Sequence, residues 1–248
     1  MRNCKTEIEE RVAFIRRMLA DAHADGIVYG NSGGKDCTLV GILCKMACEN
    51  TVGIIMPCSS KQNYGSDRDD AIKTAELFSI ETRTVDLTAV RESLLFALDG
   101  VTSPNAAALT NIAPRLRMTT LYAIGASENR LVAGTGNKCE TYMGYFTKWG
   151  DGAADFCPIA DLTVDEVYAL LRYLKAPESI ITKAPSAGLF EGQTDEGEMG
   201  VTYAAVAAYM NGEPVTEKER EIIERYHRRS EHKRALPPTF SDYCASQK

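Results

Sequence analysis

The chain predicts a doubly wound α/β fold with a mostly parallel sheet and helical additions, and three observations carry that expectation. Gly26–Gly30, Thr51–Met56 and Arg130–Gly134 are short apolar runs without polar alternation, as expected of strands buried on both faces. Segments of helical periodicity lie between them, and such alternation calls for right-handed crossovers. The first run ends in Gly30-Asn31-Ser32-Gly33-Gly34-Lys35-Asp36-Cys37, a glycine-rich turn opening directly on a helical pattern.

The elements follow in order. Between Glu7 and Ala24, residues Ile8, Val12, Ile15, Met18, Leu19 and Ala22 share a face, predicting a helix against the sheet or a subunit neighbour. The strand Gly26–Gly30 and its turn lead into a helix expected over Asp36–Glu49. Strand Thr51–Met56 runs into the polar loop Pro57–Tyr64, at a carboxyl end where ligands gather in open α/β sheets. The next helix is expected over Ser66–Phe78. Ser66 suits its N-cap, and Asp67, Asp69 and Asp70 suit its positive end, so these acids need no metal to explain them. A strand over Ile80–Leu87 and a helix over Val90–Leu98, stopped by Asp99-Gly100, come next. A long helix over Asn105–Ser127, broken or entered near Pro114, then precedes the fourth strand. The last third reads as helical and loop-rich, and 1–248 reads as one domain.

An apolar fraction of 44% is ample for the core of a 248-residue domain. The net charge of −6 comes from interspersed charges, which argues against a nucleic-acid footprint. No apolar run reaches membrane-spanning length, and Met1-Arg2-Asn3-Cys4-Lys5 has no signal-peptide core, so a cytoplasmic location is expected. The eight cysteines lack metal-site spacing and read as reduced thiols acting as small hydrophobes.

The turn after the first strand suits an anion. Glycines let the backbone approach a ligand, and a helix start supplies free N–H groups. It does not match the P-loop pattern, because Asp36 follows Lys35 where a hydroxyl residue is required, and Ser32 spoils the dinucleotide pattern. A second glycine-bearing turn, Gly134-Thr135-Gly136-Asn137-Lys138-Cys139-Glu140, ends the fourth strand and would lie beside the first in a parallel sheet. Asp36 and Glu140 are therefore candidates for a metal on phosphates, although a glutamate in a first helical turn also answers the helix dipole. The polar, glycine-rich stretch Lys183–Thr202 reads as a lid over a reactive intermediate, or as an ordinary surface loop.

Ser32-Gly33-Gly34-Lys35-Asp36-Cys37 resembles the phosphate loop of the N-type ATP pyrophosphatases. Further segments resemble the ammonia-dependent NAD synthetases, in family order: Asn111–Met118 with Arg115, Gly134–Glu140, Gly144–Asp155, Lys183-Ala184-Pro185-Ser186, Gln193–Glu196 and Glu231-His232-Lys233-Arg234. The resemblance covers nearly the whole chain beyond the first helix. It implies ATP-dependent conversion of deamido-NAD to NAD with ammonia, through an adenylate and with release of AMP and pyrophosphate. It also implies Gly30, Asn31, Ser32, Gly33, Gly34, Lys35, Asp36, Cys37, Thr135 and Ser186 as ATP contacts. Arg115, Lys148, Asp155, His232 and Lys233 would contact deamido-NAD, and Asp36 and Glu140 would bind magnesium. Asp36, Glu140 and Lys148 are the residues implied to carry catalysis.

A homodimer is expected on the same ground. Without the separate amidase domain of glutamine-using relatives, nitrogen is expected from free ammonia or a partner. Three positions depart from the commonest pattern: Cys37 stands where serine is usual, Ser186 stands where some relatives have threonine, and Val164 where some relatives place an ATP-contacting lysine. Two other readings stay open. One is the same pyrophosphatase chemistry on another acceptor, as in tRNA thiolation or GMP synthesis. The other is a nucleotide sensor without turnover.

Overall fold

The computed structural model describes residues 3–59, 66–182 and 194–245. Four strands, β1 (Gly26–Gly30), β2 (Thr51–Ile55), β3 (Glu81–Thr84) and β4 (Arg130–Ala133), form one parallel sheet in the order β3-β2-β1-β4. The strand β3 is shorter than its sequence pattern. Val85 and Leu87 still donate their N–H groups to the carbonyls of Ile55 and Pro57, so extended chain continues past the regular ladder.

Helices cover both faces. On one, α1 (Cys4–Ala22) and α2 (Lys35–Ala47) pack with the later helix Val164–Tyr173, joining Ile8, Val12 and Ile15 to Leu39, Ile42, Leu43, Leu170 and Leu171. This face admits an unusually close approach. Tyr29 is buried beneath α2 at Gly41, where a Cβ atom would stand 2.3 Å from the tyrosine oxygen. On the other face, Val28, Val52, Ile54 and Val132 meet Ala113, Leu116, Leu121 and Ile124 of the helix Ala106–Ser127. That helix runs through Pro114 without a break, although proline supplies no N–H for the turn before it.

A third apolar cluster lies beyond the sheet. Cys139 and Met143 of the helix Lys138–Met143 pack with Val164, Met199, Val201, Tyr203, Val206, Ile222 and Ile223. Val164, one of the departures noted in the sequence, is therefore a core residue. Among the described residues, no helix is long and apolar enough to cross a membrane.

Candidate active site

The chain moves from β1 to β2 to β3 in one direction and then places β4 on the opposite side of β1. At such a reversal, the loops leaving adjacent carboxyl ends diverge and open a crevice. Tyr29 is in register with Ala133, so the turns after Gly30 and Gly134 emerge side by side. A cavity of about 1330 Å³ occupies this place, lined from the first turn by Gly30, Asn31, Ser32, Gly34, Lys35, Asp36 and Cys37, and from the second by Thr135, Gly136 and Glu140.

The first turn is held by its own side chains. Asn31 is buried; its Nδ2 donates to the Ala71 carbonyl, and its Oδ1 accepts from the Gly33 N–H. Gly33 takes φ +74°, a region that glycine enters freely. Gly34 caps α2 without a side-chain acceptor, which leaves the first-turn N–H donors for an anion. The thiol of Cys37 is buried and lies 3.1 Å from the Gly34 carbonyl and 3.3 Å from Ser32 Oγ; burial pushes its pKa up.

The second turn brings the two carboxylates together through Asn137, which is fully buried. Its Oδ1 caps the Glu140 N–H, and its own N–H donates to Glu140 Oε2 at 3.0 Å, closing a capping box. Its Nδ2 donates to Asp36 Oδ1 at 3.3 Å. Burial, and then the neighbouring charge of Asp36, raise the Glu140 carboxyl well above the ordinary range. Two neighbouring carboxylates suit a magnesium ion that takes its other ligands from phosphate and water. Among the described residues, no three histidine, cysteine or acidic side chains form a metal cage of their own.

Lys35 closes the other side of Asp36. Its side chain is buried, its Nζ is 2.7 Å from Asp36 Oδ2, and it stands 5.6 Å from the Tyr203 ring centroid. Burial works against this ammonium, but the pull of Asp36 and Glu140 outweighs it and raises its pKa. Tyr203 in turn donates its hydroxyl to buried Asp195 at 2.9 Å.

The residues implied for deamido-NAD fall into three places. Lys233 lines the cavity, its Nζ donating to the carbonyls of Gly144 and Phe146. Arg115, Lys148 and His232 are not among its lining residues and form a chain of their own: Arg115 donates to the Lys148 carbonyl at 3.4 Å, and Lys148 Nζ donates to the His232 carbonyl. Asp155 is tied to the sheet, accepting from the Val132 N–H at 2.7 Å and the Tyr122 hydroxyl at 3.3 Å. Ser186 lies outside the described residues, as does the first part of the stretch expected to be a lid. Its latter part is helical rather than loop, over Asp195–Met199, because Thr194 caps that turn and Met199 is buried in the third cluster.

The sequence reading did not place Asn137 between the carboxylates, gave no role to Arg117 or Asp195 although both lie in segments it singled out, and did not find Tyr203. Only Asn137 carried a local signal, as a helix cap. Asp195 meets Tyr203 across eight positions, a pairing that no spacing announces, and Arg117, whose Nε donates to the Met56 carbonyl at 3.1 Å, lies on a helix remote in sequence from the turns.

A helix start free of side-chain caps, set beside paired carboxylates at a sheet reversal, defines an α/β enzyme of the nucleotide-polyphosphate class. The family model for NAD synthase matches residues 7–237. The NH3-dependent NAD+ synthetase of Carboxydothermus hydrogenoformans is 46% identical, over 95% of this chain and 97% of that protein. Among solved structures, the NMN synthetase of Francisella tularensis superposes with a TM-score of 0.92 at 38% identity, covering 96% of this chain and 99% of the other. The NH3-dependent NAD synthetase of Campylobacter jejuni gives 0.80 at 28% identity, covering 97% and 100%. The chain belongs to the NAD synthase family.

Proposed function

We infer that the chain is an ammonia-dependent NAD synthetase, a ligase that uses ATP to amidate deamido-NAD. The observation that carries the residue assignments is the meeting of Asp36 and Glu140 at Asn137, beside an uncapped helix start. The nicotinate carboxylate attacks the α-phosphorus of ATP and pyrophosphate leaves. Ammonia then displaces AMP from the acyl adenylate and leaves the amide. Catalysis is mainly alignment and charge neutralisation, since a carboxylate needs only a leaving group to become an acyl donor.

In this reading Gly30, Asn31, Ser32, Gly33, Gly34, Lys35, Asp36, Cys37, Thr135 and Ser186 hold ATP. Arg115, Lys148, Asp155, His232 and Lys233 hold deamido-NAD, with Lys148 orienting its carboxylate. Asp36 and Glu140 would hold magnesium, which when bound offsets charge on the departing pyrophosphate. Residues 1–248 act as one synthetase unit in the cytoplasm. Exposed Val90, Leu94 and Phe96 on the helix Thr88–Leu98 support a homodimer.

The likeness to an NMN synthetase supports a second reading of the acceptor, as the corresponding mononucleotide acid. One assay separates the two. The protein is incubated with Mg-ATP, ammonium and either deamido-NAD or nicotinate mononucleotide, and the amide, AMP and pyrophosphate are followed. NAD and AMP formed in equal amounts, and lost in Asp36→Ala and Glu140→Ala, support the first reading. Preference for the mononucleotide supports the second, and ATP binding without AMP would refute both.

A further inference from the structure

The cation that faces Asp36 is part of the protein. Asp36 has both oxygens engaged: Oδ2 accepts from Lys35 Nζ at 2.7 Å, and Oδ1 accepts from Asn137 Nδ2 at 3.3 Å. Lys35 is itself held in place. Its side chain is buried, and its ammonium stands 5.6 Å from the Tyr203 ring centroid. A tyrosine face and a carboxylate together make a desolvated ammonium favourable where a carboxylate alone would not.

Such a lysine competes with any cation approaching Asp36. A free divalent ion must either displace the ammonium from Oδ2 or sit beside it against like-charge repulsion in a place of low dielectric. A polyphosphate changes this balance. Lys35 sits in the first turn of α2, next to the glycine turn where an anion would dock, and phosphate oxygens offer its ammonium a second acceptor. Once the ammonium turns to phosphate, Asp36 Oδ2 is released to a metal that the phosphates also ligate.

We propose that Lys35 makes divalent-metal binding at Asp36 and Glu140 conditional on nucleotide, by occupying Asp36 in the empty enzyme and moving to phosphate when a polyphosphate binds. Lys35 is thus a built-in counter-cation that keeps the acidic pair together before substrate arrives. The site accepts a metal–nucleotide complex and rejects the free metal. This rests on the assignment of Asp36 and Glu140 as the metal pair.

The test is titration of the intact protein with Mn2+, followed by its paramagnetic resonance signal, with and without a non-hydrolysable ATP analogue. Wild type should bind Mn2+ at least about tenfold more tightly with the analogue than without it, the fraction of open sites being small in the empty enzyme. Lys35→Gln should remove most of that difference by tightening nucleotide-free binding about tenfold. Lys35→Met, which keeps a stem against Tyr203, should do the same if the glutamine variant folds poorly. Equal, tight Mn2+ binding by wild type in both conditions would overturn the role of Lys35, as would variants that bind free Mn2+ no better than wild type. If Asp36→Asn leaves Mn2+ binding unchanged in the presence of the analogue, the metal pair itself is misassigned, and the proposal falls with it.

Discussion

Asn137 Nδ2 donates to Asp36 Oδ1 across a separation of 101 residues, so one buried amide aligns the turn after β1 with the turn after β4. The same side chain caps the helix carrying Glu140. One residue therefore sets the spacing of both carboxylates.

Replacing Asn137 separates its two roles. Asn137→Ser keeps a cap acceptor but loses the amide donor to Asp36. The expected result is a Tm near wild type with a loss of roughly tenfold in kcat/KM for Mg-ATP, about 1.4 kcal/mol. Asn137→Ala should lose the same activity and also about 1 kcal/mol of stability from the missing cap. Steady-state kinetics and thermal melts check both. A serine variant as active as wild type would mean that the bond to Asp36 has no catalytic consequence.

Cys37→Ser should keep the KM for ATP or lower it modestly. The Cys37 sulfur lies 3.1 Å from the Gly34 carbonyl, and a hydroxyl is a stronger donor than a thiol at that place. Initial rates across ATP concentrations provide the check, and a large rise in KM would contradict the expectation.

Arg11 joins the first helix to the chain beyond β4. Its Nη1 donates to the Pro158 carbonyl and to Asp161 Oδ1, each at 2.6 Å. Arg11→Ala should lower stability by about 1–2 kcal/mol, a few degrees in Tm, because a buried acceptor loses its donor. The hydrogen bond from Arg11 holds the Asp161 carboxyl below its usual range. The pair stabilises the fold above the ordinary aspartate pKa of about 4, and the contribution fades as pH falls through the lowered value. Denaturant melts between neutral and acid pH should show a shallower acid loss in Asp161→Asn than in wild type.

Gly41→Ala should destabilise by about 1–3 kcal/mol through overpacking. The added Cβ would meet the Tyr29 oxygen at 2.3 Å and its Cζ at 2.6 Å, in a core where the ring has nowhere to turn. A Tm equal to wild type would show that α2 can shift away from β1 at no cost.

Much of this protein was determined by sequence alone, because the signals concerned are local. Unbroken apolar runs marked β1, β2 and β4, and glycine with small polar residues marked the turns after β1 and β4. Helix periodicity placed α1 and α2 to within a few residues of their observed ends. The same turns named Asp36 and Glu140 as a pair, since adjacent parallel strands release their loops at one edge.

What needed the tertiary structure was every relation carried by burial or by distant partners. The sequence pattern of β3 ran past its regular ladder because the chain stays extended there, with Val85 and Leu87 still donating to Ile55 and Pro57. Pro114 did not end its helix, because helix-breaking is a cost that packing can offset rather than a prohibition. The latter part of the expected lid is a buried helical turn, since Met199 finds a cluster assembled from four other segments. Lys35 looked like one more phosphate contact, yet its ammonium rests on Asp36 under Tyr203, a residue 168 positions away in a chain whose spacing gives no hint of the meeting. Local patterns report which backbone forms; only the folded chain decides which charges become neighbours, because Coulomb and desolvation energies depend on distance in space and not along the sequence.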